Sequence, residues 1–137
     1  MTRPLWQLRE TADMNRNFIL VDTSVWINHF READSQLQAL LEEGQVATHP
    51  FIVGELALGS IRSRSDVITW LRKLPQLPVA NDEEILFFIE DRQLFARGIG
   101  LVDAYLLAAC LLAGGVRLWT CDKRLAAVAE TLGLAVI

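Results

Sequence analysis

Three carboxylates in this sequence stand alone. Between Asn17 and Phe30 the single formal charge is Asp22, between Gly44 and Ile61 it is Glu55, and between Gly98 and Val116 it is Asp103. Surface acids ordinarily travel with lysines, arginines and other acids. An unpartnered ion inside an apolar element is disfavoured, so each of these must be protonated, hydrogen-bonded or bound to a cation. On a helix, Glu55 has Phe51, Ile52, Leu58 and Gly59 one turn away on either side, none able to pair with it. Asp103 has Leu106 and Leu107 in the same relation. A fourth acid, Asp122, follows an apolar run. Plainer uses exist for all four: Asp22, Asp103 and Asp122 suit helix caps, and Glu55 suits a helix edge facing water. Three unrelated elements, each with one stranded acid, make those plainer uses less satisfactory together than singly.

Carboxylates brought together repel one another by about 3 kcal/mol per pair at ~5 Å and an effective dielectric of about 20. Only a multivalent cation offsets several such terms at once. Oxygen ligands without His or Cys select Mg²⁺ or Mn²⁺ over zinc, and four carboxylates balance two divalent ions. That is the chemistry of metal-assisted phosphodiester cleavage, in which one ion activates water and the other stabilises the leaving oxygen.

The elements that must position these acids alternate. Phe18–Asp22 is a continuous apolar run ending in Asp, as buried parallel strands do. Helices are expected over Ser24–Phe30 and over Asp34–Glu42, the latter capped by Asp34 and stopped by Gly44. Val46–Ala47 forms a short strand, and Pro50 opens a helix to about Gly59. A further helix covers Ser65–Lys73, and the segment between Pro75 and Pro78 suits a short edge strand. Asn81 and Glu84 form a capping box for a helix reaching about Arg97. Gly98 and Gly100 turn the chain into an apolar helix, Val102–Ala113, ended by Gly114–Gly115. Val116–Thr120 is a strand, Lys123–Leu132 a helix, and Leu134–Ile137 a final strand. This order implies an α/β fold, a three-layer sandwich with a mainly parallel central sheet flanked by helices. In such folds ligands collect beyond the carboxyl ends of the strands, where Asp22 and Asp122 fall. Residues 18–137 make a single domain. Residues 1–17 read as a peripheral extension whose LWQL stretch suits a short docked helix.

Composition narrows the function. With 137 residues, 52% hydrophobic and 22% charged, the chain is globular and needs no disulfide staples. Its net charge of −4 supplies no bulk basic field for nucleic acid, so such a partner needs a local basic rim or bound cations. The longest apolar stretch falls short of the ~20 residues that span a bilayer, and the N-terminus lacks a secretory h-region. Cys110 and Cys121 lie in apolar surroundings with no CxxC spacing, and read as reduced core residues of a cytoplasmic protein.

The motifs carrying the acids are VDTSVWI at Val21–Ile27, GEL at Gly54–Leu56, GIGLVDAYLLAA at Gly98–Ala109 and TCDKRL at Thr120–Leu125. In this order and spacing the chain resembles the PIN-domain ribonucleases, specifically the VapC-like toxins of bacterial type II toxin–antitoxin pairs. The resemblance covers about residues 18–137. It implies a PIN-like fold and a Mg²⁺- or Mn²⁺-dependent endoribonuclease with Asp22, Glu55, Asp103 and Asp122 as catalytic, metal-binding acids. Asp22 and Asp103 would be direct ligands, Glu55 a direct or water-mediated one that orients the attacking water, and Asp122 a water-mediated or second-metal ligand. Ser24 and Thr120 match supporting hydrogen-bond positions. It also implies an RNA substrate, a cognate antitoxin and a homodimer. Two positions depart from the pattern: Cys121 replaces a commonly polar residue and Leu125 a common aromatic.

Arg62, Arg64, Arg72, Lys73, Arg97, Lys123 and Arg124 suit either solvated helix faces or a basic rim. Of these Arg97, Lys123 and Arg124 sit nearest the acids and are the candidates for RNA-phosphate contact. Trp26 and Trp119 read as core or interface residues, and neither His29 nor His49 takes a catalytic role. A haloacid-dehalogenase-type phosphatase would want a second Asp where Ser24 stands, and a receiver domain would want paired acids near the first strand. A structure-specific DNA nuclease with the same acidic site, and a catalytically inactive interaction module whose acids are mere caps, remain as alternatives.

Overall fold

β1 (Ile19–Val21) is buried at three consecutive positions, each at most 1% exposed. Both of its faces are therefore covered, as in a parallel sheet between two layers of helices. A computed structural model of the chain describes residues 18–137; the expected extension over residues 1–17 lies outside them. β1 is followed by α1 (Thr23–Arg31), α2 (Ser35–Glu42), β2 (Val46–Ala47), α3 (Pro50–Ala57), α4 (Arg64–Leu71), α5 (Asp82–Asp91), α6 (Leu101–Ala113), β3 (Arg117–Trp119) and α7 (Lys123–Thr131). The sheet has the order β2-β1-β3. Both pairings of β1 are parallel, Ile19 facing Val46 on one side and Arg117 on the other. The expected α/β architecture is thus present.

The two outer strands of the sequence reading are reduced to single bridges, Thr48 with Gln76 and Leu118 with Val136. On the first edge Thr48 donates to the Pro75 carbonyl and accepts from the Leu77 amide, both at 2.8 Å. Pro75 and Pro78 have no N–H to carry the ladder further.

α6 is the apolar centre of one layer, with eight of its residues from Ala104 to Ala113 buried. On the other side Trp26 is fully buried, stacked on Phe30 at 5.9 Å and edge-on to Trp70 at 5.9 Å, which pins α1 against α4. Trp119 is half-buried. Local signals place several helix ends. Asp34 accepts from the Leu37 amide at 3.0 Å, Pro50 opens α3, and the Asn81–Glu84 box closes reciprocally with two bonds of 2.8 Å.

α5 departs from expectation. It ends at Asp91, six residues before Arg97, because the chain turns into the left-handed region at Gln93 (φ 52°) and again at Ala96 (φ 58°). The Leu94 amide reaches back to the Ile89 carbonyl at 2.9 Å and the Gln93 amide to that of Glu90 at 3.2 Å. This is a Schellman closure driven by burial of Leu94, which is 4% exposed.

Candidate active site

β1 and β3 end side by side, with the Asp22 amide donating to the Trp119 carbonyl at 2.9 Å. Their parallel register carries Asp22 and Thr120 out of the same edge of the sheet. Thr120 Oγ1 donates to Asp22 Oδ2 at 2.7 Å, and Ser24 Oγ donates to the same oxygen at 2.9 Å. Thr120 Oγ1 also accepts from the Asp122 amide at 3.0 Å, and Ser24 Oγ from the Cys121 amide at 3.1 Å. The two hydroxyls therefore couple the β1–α1 turn to the β3–α7 turn. Asp22 occupies the N-cap position of α1, yet its side chain makes no capping bond. It is held by hydroxyls although it is 8% exposed.

The other acids are tethered differently. Asp103, on the third position of α6, accepts from the Gly100 amide through Oδ2 at 3.0 Å. Gly100 has no side chain to reciprocate, so this is half a capping box. Asp122 caps α7, its Oδ1 accepting from the amides of Arg124 at 2.9 Å and Leu125 at 3.2 Å. The plain capping role is therefore real for Asp122, and does not prevent it from lying beside Asp22. Glu55, on the exposed edge of α3, accepts from Thr23 Oγ1 at 2.7 Å.

Thr23 is the site residue that the sequence reading missed. The visible signal is a hydroxyl directly after the strand-ending Asp22; its partner 32 residues on is set by how α1 packs on α3. In each of the four acids one oxygen is tethered. The other accepts no hydrogen bond among the described residues, and none of the four forms an ion pair there.

Electrostatics links three of them. The Asp103 carboxyl is held above its usual range, first by partial burial, against the Gly100 amide, and then by the negative charges of Asp22 and Asp122. Such repulsion requires proximity, so Asp22, Asp103 and Asp122 share one electrostatic neighbourhood. Among the described residues no three His, Cys, Asp or Glu side chains stand close enough together to enclose an ion by themselves. Magnesium is ordinarily bound through one or two carboxylates with water completing its shell. An all-oxygen set of half-tethered acids fits that manner of binding.

The remaining candidates divide. Lys123 and Arg124 are exposed at the start of α7, and the Arg124 side chain lies against Gly98, so close that a Cβ there would meet its Cδ at 2.9 Å. Arg97 is turned to the other end of α7, its Nη2 donating to Thr131 Oγ1 at 3.3 Å. Of the two thiols, Cys110 is buried and pushed up to about 12 by that burial. Cys121 is exposed, which corrects its expected place in the core. The turn after β3 faces Thr120 inward instead, and leaves Cys121 Sγ to accept a weak bond from Asn28 Nδ2 at 3.5 Å.

Several families place acids at the carboxyl edge of a parallel α/β sheet, and comparison with known proteins singles out one of them. The PIN domain model matches residues 19–131, and the chain belongs to the PIN-domain family. Within it the chain is similar to Ribonuclease VapC32 of Mycobacterium tuberculosis, from strains CDC 1551 / Oshkosh and ATCC 25618 / H37Rv. Identity to each is 50% over 117 residues, covering 85% of this chain and 94% of the relative.

Proposed function

We propose that this chain is a divalent-metal-dependent endoribonuclease, the toxin of a toxin–antitoxin pair, hydrolysing RNA phosphodiester bonds at Asp22, Glu55, Asp103 and Asp122. What supports this reading is the half-tethered state of all four acids, none of which forms an ion pair among the described residues, with Asp22, Asp103 and Asp122 in one electrostatic neighbourhood and Glu55 held by Thr23, the residue next to Asp22. The similarity to a protein named as a ribonuclease supports RNA over DNA.

Asp22 and Asp103 would hold the metal, Mg²⁺ or Mn²⁺, with Asp122 and Glu55 reached directly or through water. When bound, the ion supplies Lewis-acid activation of water and charge stabilisation at the leaving oxygen. The chain's own residues do the positioning. Thr120 and Ser24 fix one oxygen of Asp22 and so aim the other. Thr23 restrains Glu55, which orients the attacking water. Lys123 and Arg124 offset the charge of incoming phosphates. An antitoxin would silence the enzyme, a homodimer is the expected assembly, and the cytoplasm is the expected compartment. No described helix is long and apolar enough to cross a membrane.

The test is cleavage of a labelled RNA pool, with a DNA pool beside it, in Mg²⁺, in Mn²⁺ and in EDTA. Asp22→Asn and Asp103→Asn, purified identically, control for contaminating nucleases. Metal-dependent RNA cutting absent from both variants is the expected result; equal cutting by folded wild type and variants would sink it. Independently, a metal at 100 times its dissociation constant should stabilise the wild type by about 2.7 kcal/mol, and Asp22→Asn far less.

A further inference from the structure

A groove of about 490 Å³ opens directly beside Glu55, between α1, α3 and the turn before α4. Its apolar wall includes Ile27, Phe30 and Ile61, and its two cations are Arg31 and Arg62. Several other arginines are engaged: Arg64 donates to the Ala57 carbonyl at 2.7 Å, Arg97 to Thr131, and Arg92 pairs with Asp91 at 3.2 Å. Arg31 and Arg62 are exposed and make no hydrogen bond or ion pair among the described residues, although Glu32 adjoins Arg31 in the chain.

Resting on the RNA-cleaving reading, we propose that this groove seats the substrate strand next to the scissile bond. Arg31 and Arg62 would grip backbone phosphates, and a base would lie against Phe30 and Ile27. The charge balance requires an anchor of this kind. Four carboxylates on a chain of net charge −4 repel a polyanion, so cations just outside the acidic cluster must add to whatever a bound metal contributes to affinity. The groove begins at one of the four acids and carries two uncommitted guanidiniums, which suit phosphate oxygens. Its wall offers the aromatic and aliphatic faces on which single-stranded bases stack. An acidic protein segment is the competing occupant, and the same experiment decides between them.

Binding is measured by anisotropy of a labelled single-stranded RNA across a salt series, on Asp22→Asn protein to prevent cleavage. Adding Arg31→Ala and Arg62→Ala should weaken binding about tenfold or more, and flatten the slope of log K against log salt by about 1.4, roughly 0.7 per phosphate contact. Arg31→Lys with Arg62→Lys should restore the slope. Arg117→Gln, at the opposite edge of the sheet, should leave it unchanged. In the otherwise wild-type protein the double alanine variant should raise KM and keep kcat at saturating RNA. An unchanged slope and KM would overturn the proposal, as would a double variant that cuts RNA normally but escapes inhibition by its antitoxin. The binding arm does not need catalysis. A wild type that cuts nothing would remove the nuclease reading, while the slope would still decide the groove.

Discussion

Glu84 and Asp103 occupy the same position in two neighbouring helices. Each is the third residue of its helix, and each accepts from the backbone amide three residues earlier, at 2.8 Å in α5 and 3.0 Å in α6. In α5 the cap is Asn81, whose side chain returns the bond, and Glu84 is 2% exposed. In α6 the cap is Gly100, which returns nothing, and Asp103 is half-buried within the field of Asp22 and Asp122. One acid closes a helix end; the other uses the same bond to hold one oxygen still while presenting its second to a shared, negatively charged space. The same bond thus serves two electrostatic settings, and the neighbouring acids rather than the hydrogen-bond inventory distinguish them.

The strongest way to break this comparison is Asp103→Asn. The amide can still accept from Gly100, so the fold should persist with its thermal midpoint unchanged or raised. Cleavage should fall about 1,000-fold, the scale of losing a preorganised electrostatic group. A variant that unfolds would make Asp103 a second Glu84.

Next in size is a cap governed by protonation. His49 is fully buried at the start of α3, where its Nδ1 accepts from the Phe51 amide at 3.0 Å. Burial lowers its pKa to about 4, against an ordinary 6.5. The folded state therefore binds fewer protons than the unfolded chain between these values. Stability contributed by neutral His49 is full above about pH 6.5 and is lost as pH falls towards 4, by up to about 3 kcal/mol. Denaturant midpoints of wild type and His49→Asn across that range should converge at low pH.

Glu84→Ala should cost about 1 to 2 kcal/mol by opening the capping box and leave kcat intact, the reverse of the Asp103 result. The smallest effect is expected at the other end of α5. Gly44 with Gln45 and Gly133 with Leu134 close α2 and α7 by the same pair of backward bonds that Gln93 and Leu94 make, the glycines at φ of 69° and 78°. Gln93→Gly should relieve the left-handed strain and raise stability by up to about 1 kcal/mol, readable as a higher urea midpoint.

Those three closures also show what the sequence could reveal. Gly44 announces its helix end; Gln93 does not, because burial of Leu94 overrides local preference, and the sequence pattern therefore predicts α5 six residues too long. The strand ending at Asp22, the Asp34 and Asn81 caps and Pro50 were all legible, since each depends on neighbours along the chain. The convergence of Asp22, Asp103 and Asp122 was legible only indirectly, from the absence of countercharges around each acid. The Thr23–Glu55 bond was not legible, because it depends on the packing of two helices. The exposure of Cys121 escaped for a related reason: an apolar-looking window hid a turn whose inward place belongs to Thr120.

The bond from Thr120 to Asp22 spans 98 residues. At ribosomal speeds of about 5 to 20 residues per second, its donor is made about 5 to 20 s after its acceptor. Throughout that interval the first strand lacks its β3 neighbour, and Asp22 has Ser24 beside it but lacks the second hydroxyl that holds its Oδ2. The turn around Asp22 is thus completed late, after β3 has been made. A chain whose paired turns lie so far apart completes that edge of the sheet only after its distant segments have met.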